Sequence, residues 1–240
     1  MIRAAAFNQG QFPTIGVVNL ATVPLGVDLD ALIAALQKFL DSYFVPIWGY
    51  PAKLVKYAAL ADIPADQWQF LFIDDADTAG ALGYHDLTRN GQPVSKIFVK
   101  TTLADKQLVS VTACHELAEM LIDPGAQLWA QKDNKTIVAY EMSDAVEELT
   151  FEIDGIAMSN FVFPSYFETW KHPKGTKFDY LGKLTKPFQL AKGGYEIKAT
   201  ISGVGQAFGS AAKSRRFAKE NRVGHRSEHR KPNGKVIKKK

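Results

Sequence analysis

The residues best suited to chemistry in this sequence of 240 residues lie in one short stretch, residues 110–123. In a helix that turns about 100° per residue, Glu119 lies about 40°, Asp123 about 80° and Glu116 about 100° around the axis from His115. One face of such a helix presents a histidine and carboxylates. The opposite arc is apolar and comprises Val111, Cys114, Leu117, Ala118, Leu121 and Ile122. We therefore expect the apolar arc to pack in a core and the polar face to form part of a metal site.

The spacing of His115 and Glu119 suits one shared ion. Histidine nitrogens and carboxylate oxygens are common ligands of zinc and similar divalent ions. Residues four apart lie on the same face of a helix, so these two side chains can bind the same ion. Glu116 lies farther around the helix, where it can act as a general base on an ion-bound water without binding the ion itself.

A third ligand has to come from another part of the chain. Glu141 and Asp144 are the strongest candidates, because they open the next acidic segment and lie about one turn apart if that segment is helical. Asp123 and His85 are weaker candidates, and we expect His85 to lie in a surface loop. Residues 107–170 contain eleven Asp/Glu and only two lysines. Carboxylates at this density repel one another unless they are solvated or meet a cation.

The elements around these residues predict an α+β fold without regular βαβ alternation. Asp28 is a plausible N-cap for an amphipathic helix over residues 29–44, which should end before Pro46. Residues 75–92 read as a long loop, and Asp154-Gly155 predicts the turn of a β-hairpin. Alternating or apolar runs predict strands at residues 12–20, 53–60, 68–74, 94–100, 136–140 and 195–201.

Charge divides the chain into an acidic body and a basic tail. Residues 213–240 hold twelve of the 29 Lys/Arg and two of the 25 Asp/Glu, so the preceding residues hold 17 basic and 23 acidic side chains. We predict one metal-binding domain over residues 1–210 and a disordered tail over residues 211–240, which has too few apolar residues to form a core. The candidates for contacts with nucleic-acid phosphates are Lys213, Arg215, Arg216, Arg222, Arg226, Arg230 and Lys231. Their polar spacing predicts salt-sensitive binding without base readout, and a solubilising terminus is the alternative.

Several classes of protein do not fit the sequence. It has no apolar run near 18 residues, so we expect no membrane-spanning helix. Its first residues lack the apolar stretch of a secretory signal, which favours a cytoplasmic or virion location. Its single cysteine, Cys114, excludes an intrachain disulfide and is expected to be a small buried apolar residue.

The pentapeptide His115-Glu116-Leu117-Ala118-Glu119 resembles the His-Glu-x-x-His helix of the zincin metallopeptidases, with glutamate in place of the second histidine. The order of predicted elements over residues 12–200 is similar to the general zincin order. Glu141-Met-Ser-Asp144 is similar to the downstream segment that supplies a glutamate ligand in the glutamate-type zincins. Residues 115–124, 140–148 and 153–164 also resemble a group of poorly characterised phage and bacterial proteins.

This resemblance implies a zincin-like mixed sheet and a bound divalent metal, most often zinc. It implies His115 and Glu119 as ligands, Glu141 as the third ligand, and Glu116 as the base that activates a metal-bound water. A glutamate at position 119 adds negative charge, which weakens the Lewis acidity of the ion and favours a harder ion.

Two functions follow as expectations. The first is a metal-dependent peptidase, or a diverged relative of one, that acts on a peptide or protein. The second is a phage virion or nucleoid-associated structural protein that keeps the zincin scaffold, takes part in virion assembly and binds nucleic acid through its basic tail.

Overall fold

A five-stranded mixed sheet forms one layer of the α+β fold in the computed structural model, which describes residues 12–77 and 81–211. The strand order is β2-β1-β3-β5-β4, with β4 antiparallel to β5 and the other neighbours parallel. In chain order the strands are β1 (Thr14–Asn19), β2 (Lys53–Lys56), β3 (Trp68–Ile73), β4 (Gly83–Leu87) and β5 (Pro93–Phe98). The strand β4 therefore forms one edge of this sheet.

The first helical segment is longer than the sequence predicted. Helix α1 (Leu29–Phe39) begins at Asp28, whose carboxylate accepts a hydrogen bond from the Ala31 amide at 2.9 Å, as expected for an N-cap. A π-helical turn (Leu40–Phe44) follows, and α2 (Val45–Trp48) continues past Pro46. The predicted end before Pro46 is wrong, because proline lies in the first turn of α2, where its missing N–H is tolerated.

The second sheet is antiparallel, with strand order β11-β10-β7-β6. A separate hairpin pairs β8 with β9 through Asp154 and Gly155, which have φ values of 52° and 78°, so the predicted turn is confirmed. The strands are β6 (Trp129–Asp133), β7 (Thr136–Ala139), β8 (Thr150–Ile153), β9 (Ile156–Ser159), β10 (Tyr195–Thr200) and β11 (Gly203–Phe208). Strands β6 and β11 were not predicted from the sequence.

The predicted loop over residues 75–92 is wrong in its central part, because Gly83–Leu87 forms β4. This strand is defined by its partner: Gly83 lies opposite Ile97 and Leu87 opposite Pro93 on β5. A glycine and an aspartate in five residues give a weak strand signal, so pairing across the sheet decides the conformation.

The motif helix is the central helix of the fold. Two helices follow β5, namely α3 (Val99–Ala104) and α4 (Val109–Ile122), and α4 is the predicted motif helix. Helix α4 packs against β4 and β5 on one side and against β9 of the hairpin on the other. The predicted apolar arc is confirmed except at Val111, which is only half-buried: its other five members are buried in the main core, namely Cys114, Leu117, Ala118, Leu121 and Ile122.

Within the part of the chain that the structure describes, no helix has the length and apolar character needed to cross a membrane. The seven basic residues predicted to contact nucleic acid lie outside the described residues.

Candidate metal centre

Helix α4 places its polar side chains in the interior of the protein. The sequence of α4 contains no glycine or proline, and the helix ends at Asp123, just before Pro124. His115, Glu116 and Glu119 have exposed fractions of only 8%, 7% and 3%. The face that bears them is therefore covered, because β4 packs on the same helix and Glu141 and Asp144 reach it from the chain after β7.

The first candidate ligand group combines two residues of the motif with Asp144. The His115 Nε2 atom lies 3.2 Å from Glu119 Oε2 and 3.2 Å from Asp144 Oδ1. Two atoms bound to one ion at about 2.1 Å each, with an angle near the tetrahedral value, are separated by about 3.4 Å. These three side chains thus form a buried group that could hold a metal ion.

The second candidate ligand group contains His85, Glu119 and Glu141. His85 Nε2 lies 3.8 Å from Glu141 Oε2, and His85 Nδ1 lies 3.4 Å from Glu116 Oε2. His85 is only 6% exposed, so its expected position in a surface loop is wrong. It lies in the middle of β4, opposite Ser95, on the side of the strand that meets α4.

Glu119 belongs to both groups, and its Oε1 atom is held by a backbone hydrogen bond. The Ser143 amide donates a hydrogen bond to Glu119 Oε1 at 3.0 Å, while Oε2 faces His115. A carboxylate has about four lone-pair sites, so each oxygen of Glu119 can still accept a further hydrogen bond or bind an ion. The sequence pattern left Glu141 and Asp144 open as alternatives for the third ligand. The structure brings both to Glu119, one in each group.

The charges in the cluster shift the pKa values of its members. Burial acts to lower the pKa of His115, but Glu119 and Asp144 outweigh it and hold that pKa well above the usual range. Burial raises the pKa of Glu119, and nearby Asp144 raises it further, while His115 opposes the shift. Both shifts agree with the 3.2 Å distances from the His115 imidazole to the two carboxylates.

Tyr195, which the sequence reading missed as a site residue, lies beside Asp144. Its hydroxyl group hydrogen-bonds the Asp144 carboxylate, and burial together with that carboxylate raises the pKa of Tyr195 well above 10. A small cavity next to Asp144 is lined in part by Glu141, Tyr166 and Tyr195. The only sequence signal for Tyr195 was its place at the start of a predicted strand, which says nothing about long-range contacts.

The remaining candidate, Asp123, has a local role. Its carboxylate accepts hydrogen bonds from the Gln127 amide at 2.9 Å and the Leu128 amide at 2.8 Å. These bonds close the turn after α4, and neither ligand group includes Asp123.

Gly83 allows the close approach of Glu116 to β4. A Cβ atom at Gly83 would lie 2.8 Å from Glu116 Cγ and 3.1 Å from Glu116 Oε1. The absence of a side chain at this position therefore makes room for the Glu116 carboxylate beside His85.

No protein-family model, curated protein or solved structure matches this chain. Its function is therefore inferred from the chemistry of the buried cluster.

Proposed function

We propose that this protein is a zincin-like metal-dependent hydrolase that acts on peptide bonds. The observation that carries the proposal is the meeting of His115 and Glu119 on α4 with the distant Asp144, at 3.2 Å each from the His115 Nε2 atom. The order of elements also supports it, since a helix, parallel strands and an antiparallel edge strand precede the motif helix.

The residues of the first group fit a divalent ion, and we propose zinc. His115, Glu119 and Asp144 offer one nitrogen and carboxylate oxygens, which are ligands that zinc accepts. A bound divalent ion supplies Lewis acidity, which polarises a carbonyl group and makes water a better nucleophile near neutral pH. Two carboxylates in the set also make manganese a sensible comparison ion in experiments.

Glu116 is the residue proposed to accept the proton of the attacking water, at a carboxylate oxygen. His85 Nδ1 lies 3.4 Å from Glu116 Oε2 and orients that carboxylate. The Tyr195 hydroxyl is protonated at neutral pH, as tyrosine hydroxyls ordinarily are, and donates a hydrogen bond to Asp144; burial and that carboxylate raise its pKa further.

Elemental analysis of protein purified without chelators tests the metal. We expect about one or more equivalents of a divalent ion, and we expect His115→Asn to lose most of it. His172→Asn is the matched control, because His172 contacts Glu168 and Phe178 and belongs to neither group. Absence of stoichiometric metal, together with an unchanged zinc-induced rise in Tm in His115→Asn, contradicts the proposal.

The hydrolytic step has a separate test. Glu116→Gln keeps the shape of the side chain but removes the proton acceptor, so we expect cleavage of a peptide library to fall about 10²-fold or more. The metal content should be retained. Cleavage at the parent rate by Glu116→Gln excludes Glu116 as the base.

The segregated charge of the sequence favours a second candidate, a virion or nucleoid-associated structural protein anchored by its tail. Twelve Lys/Arg lie within residues 213–240. We expect deletion after Ala212 to abolish DNA binding that weakens steeply with salt. Retention of that binding by the truncated chain rules out the tail as the anchor.

A further inference from the structure

We propose that the buried cluster binds two divalent ions, with Glu119 shared between them. His115 and Asp144 complete one site, and His85 and Glu141 complete the other. This inference rests on the single-ion site proposed above and adds a second ion to it.

The two groups are arranged alike around Glu119. Each contributes a histidine Nε2 atom and a carboxylate from the segment after β7, namely His115 with Asp144 and His85 with Glu141. The ligand atoms within each group all lie within 4.8 Å of one another. The His85 to Glu141 distance of 3.8 Å is too long for a good hydrogen bond, but two ligands about 2.1 Å from one ion are this far apart when the angle between them is about 130°.

The environment of His85 is that of an oriented metal ligand. Histidines that bind metals commonly donate their other ring N–H to a carboxylate, which fixes the tautomer and the ring orientation. Here Nδ1 faces Glu116 at 3.4 Å, and Nε2 faces Glu141. With the proton on Nδ1, the lone pair of His85 Nε2 is available to bind an ion between His85, Glu119 and Glu141. Glu116 therefore acts as a positioning residue for His85 in addition to its proposed role as a base.

The composition of the cluster also favours bound cations. Glu116, Glu119, Glu141 and Asp144 are all buried, and their ionised forms have four negative charges. The described residues include no buried lysine or arginine, as the charged or polar buried side chains there are acidic, hydroxyl, amide or histidine groups. Carboxylates buried close together without lysine or arginine are costly unless cations or hydrogen bonds compensate them, and bound divalent ions would do so here.

Metal stoichiometry tests this directly in the full-length protein. After removal of metal, the protein is titrated with Zn²⁺ alone and the bound ions are counted by native mass spectrometry. We expect two ions per chain in the parent and in the control His172→Asn, and one ion in His85→Asn. One ion in the parent, or two in His85→Asn, overturns the second site while leaving the first intact. No bound ion in the parent removes both.

A second measurement needs no variant and therefore does not depend on the folding of His85→Asn. The parent is titrated with Mn²⁺ and followed by electron paramagnetic resonance. Two ions that share Glu119 should give an exchange-coupled signal at two equivalents. Two equivalents that give only the signal of isolated Mn²⁺ contradict the shared site.

Discussion

Gly83→Ala should push Glu116 away from β4. The added methyl carbon would lie 2.8 Å from Glu116 Cγ and 3.0 Å from the Lys96 carbonyl oxygen. Ordinary contacts begin at 3.4 Å, so a shift of about 0.6 Å is needed. The Lys96 oxygen belongs to the backbone of β5, which is held by its pairing with β3 and β4. We therefore expect Glu116 to move, and its contact with His85 to lengthen.

The free-energy cost of Gly83→Ala can be estimated from the overlap between the added methyl group and its neighbours. Overpacking of a well-packed interior costs about 1–3 kcal/mol, and each kcal/mol lowers Tm by roughly 2–4 °C in a chain of this size. We expect a fall of roughly 2–12 °C, measured by calorimetry on chelator-treated protein so that no ion contributes. Gly205→Ala is the matched control, because Gly205 is also in a strand and a Cβ there meets no atom within 4 Å.

A double variant isolates the contact. Glu116→Ala removes the Cγ atom that the new methyl group would strike, so Gly83→Ala should cost less in that background, although the 3.0 Å approach to the Lys96 carbonyl oxygen remains. An unchanged Tm for Gly83→Ala, or an equal loss with and without Glu116, refutes the steric argument.

Three other predictions concern groups inside and outside the cluster. Burial raises the pKa of Cys114 to about 12, so native protein should react with iodoacetamide at least about 10²-fold more slowly than unfolded protein, as mass spectrometry would show. The Thr22 hydroxyl donates a hydrogen bond to Asp74 at 2.6 Å and helps to lower the pKa of that carboxyl to about 2. The stabilisation from ionised Asp74 is complete above its unfolded pKa near 3.8 and is lost as pH falls through about 2. The Tm difference between the parent and Asp74→Asn should therefore shrink between pH 5 and pH 2, and a constant difference contradicts this. Tyr195→Phe removes the hydroxyl beside Asp144 and should weaken Zn²⁺ binding about 10-fold in competition with a coloured chelator; equal affinity would show that the hydroxyl does not support the site.

The sequence predicted those parts of the fold that depend on interactions between residues close together in the chain. The Asp28 cap, the motif helix and the turn at Asp154-Gly155 depend on residues close in the chain, and all three occur as expected. The prediction that the first helix ends before Pro46 was wrong. A π-helical turn precedes α2, so Pro46 lies in the first turn of a new helical segment, where its missing N–H is tolerated.

The sequence predicted the candidate ligands on the motif helix and also Glu141 and Asp144 after it, but not the contributions of His85 and Tyr195. His115 and Glu119 follow from spacing on one helix. His85 was misplaced because β4 exists through its pairing with β5, a long-range effect with little trace in its own residues. Tyr195 was missed for the same reason, since its contact with Asp144 joins segments about 50 residues apart.

The cluster unites segments that are far apart in the chain, so its side chains can meet only after the later segments have been synthesised. His85 comes from the first sheet, Glu119 from the helix that follows it, and Glu141 from the connection into the later part of the fold. A nascent chain that ends before Glu141 lacks ligands from both groups. If the cluster binds an ion as proposed, the ion would bind only after Glu141 and Asp144 have been synthesised, and it would stabilise the folded protein by linking its early and late segments.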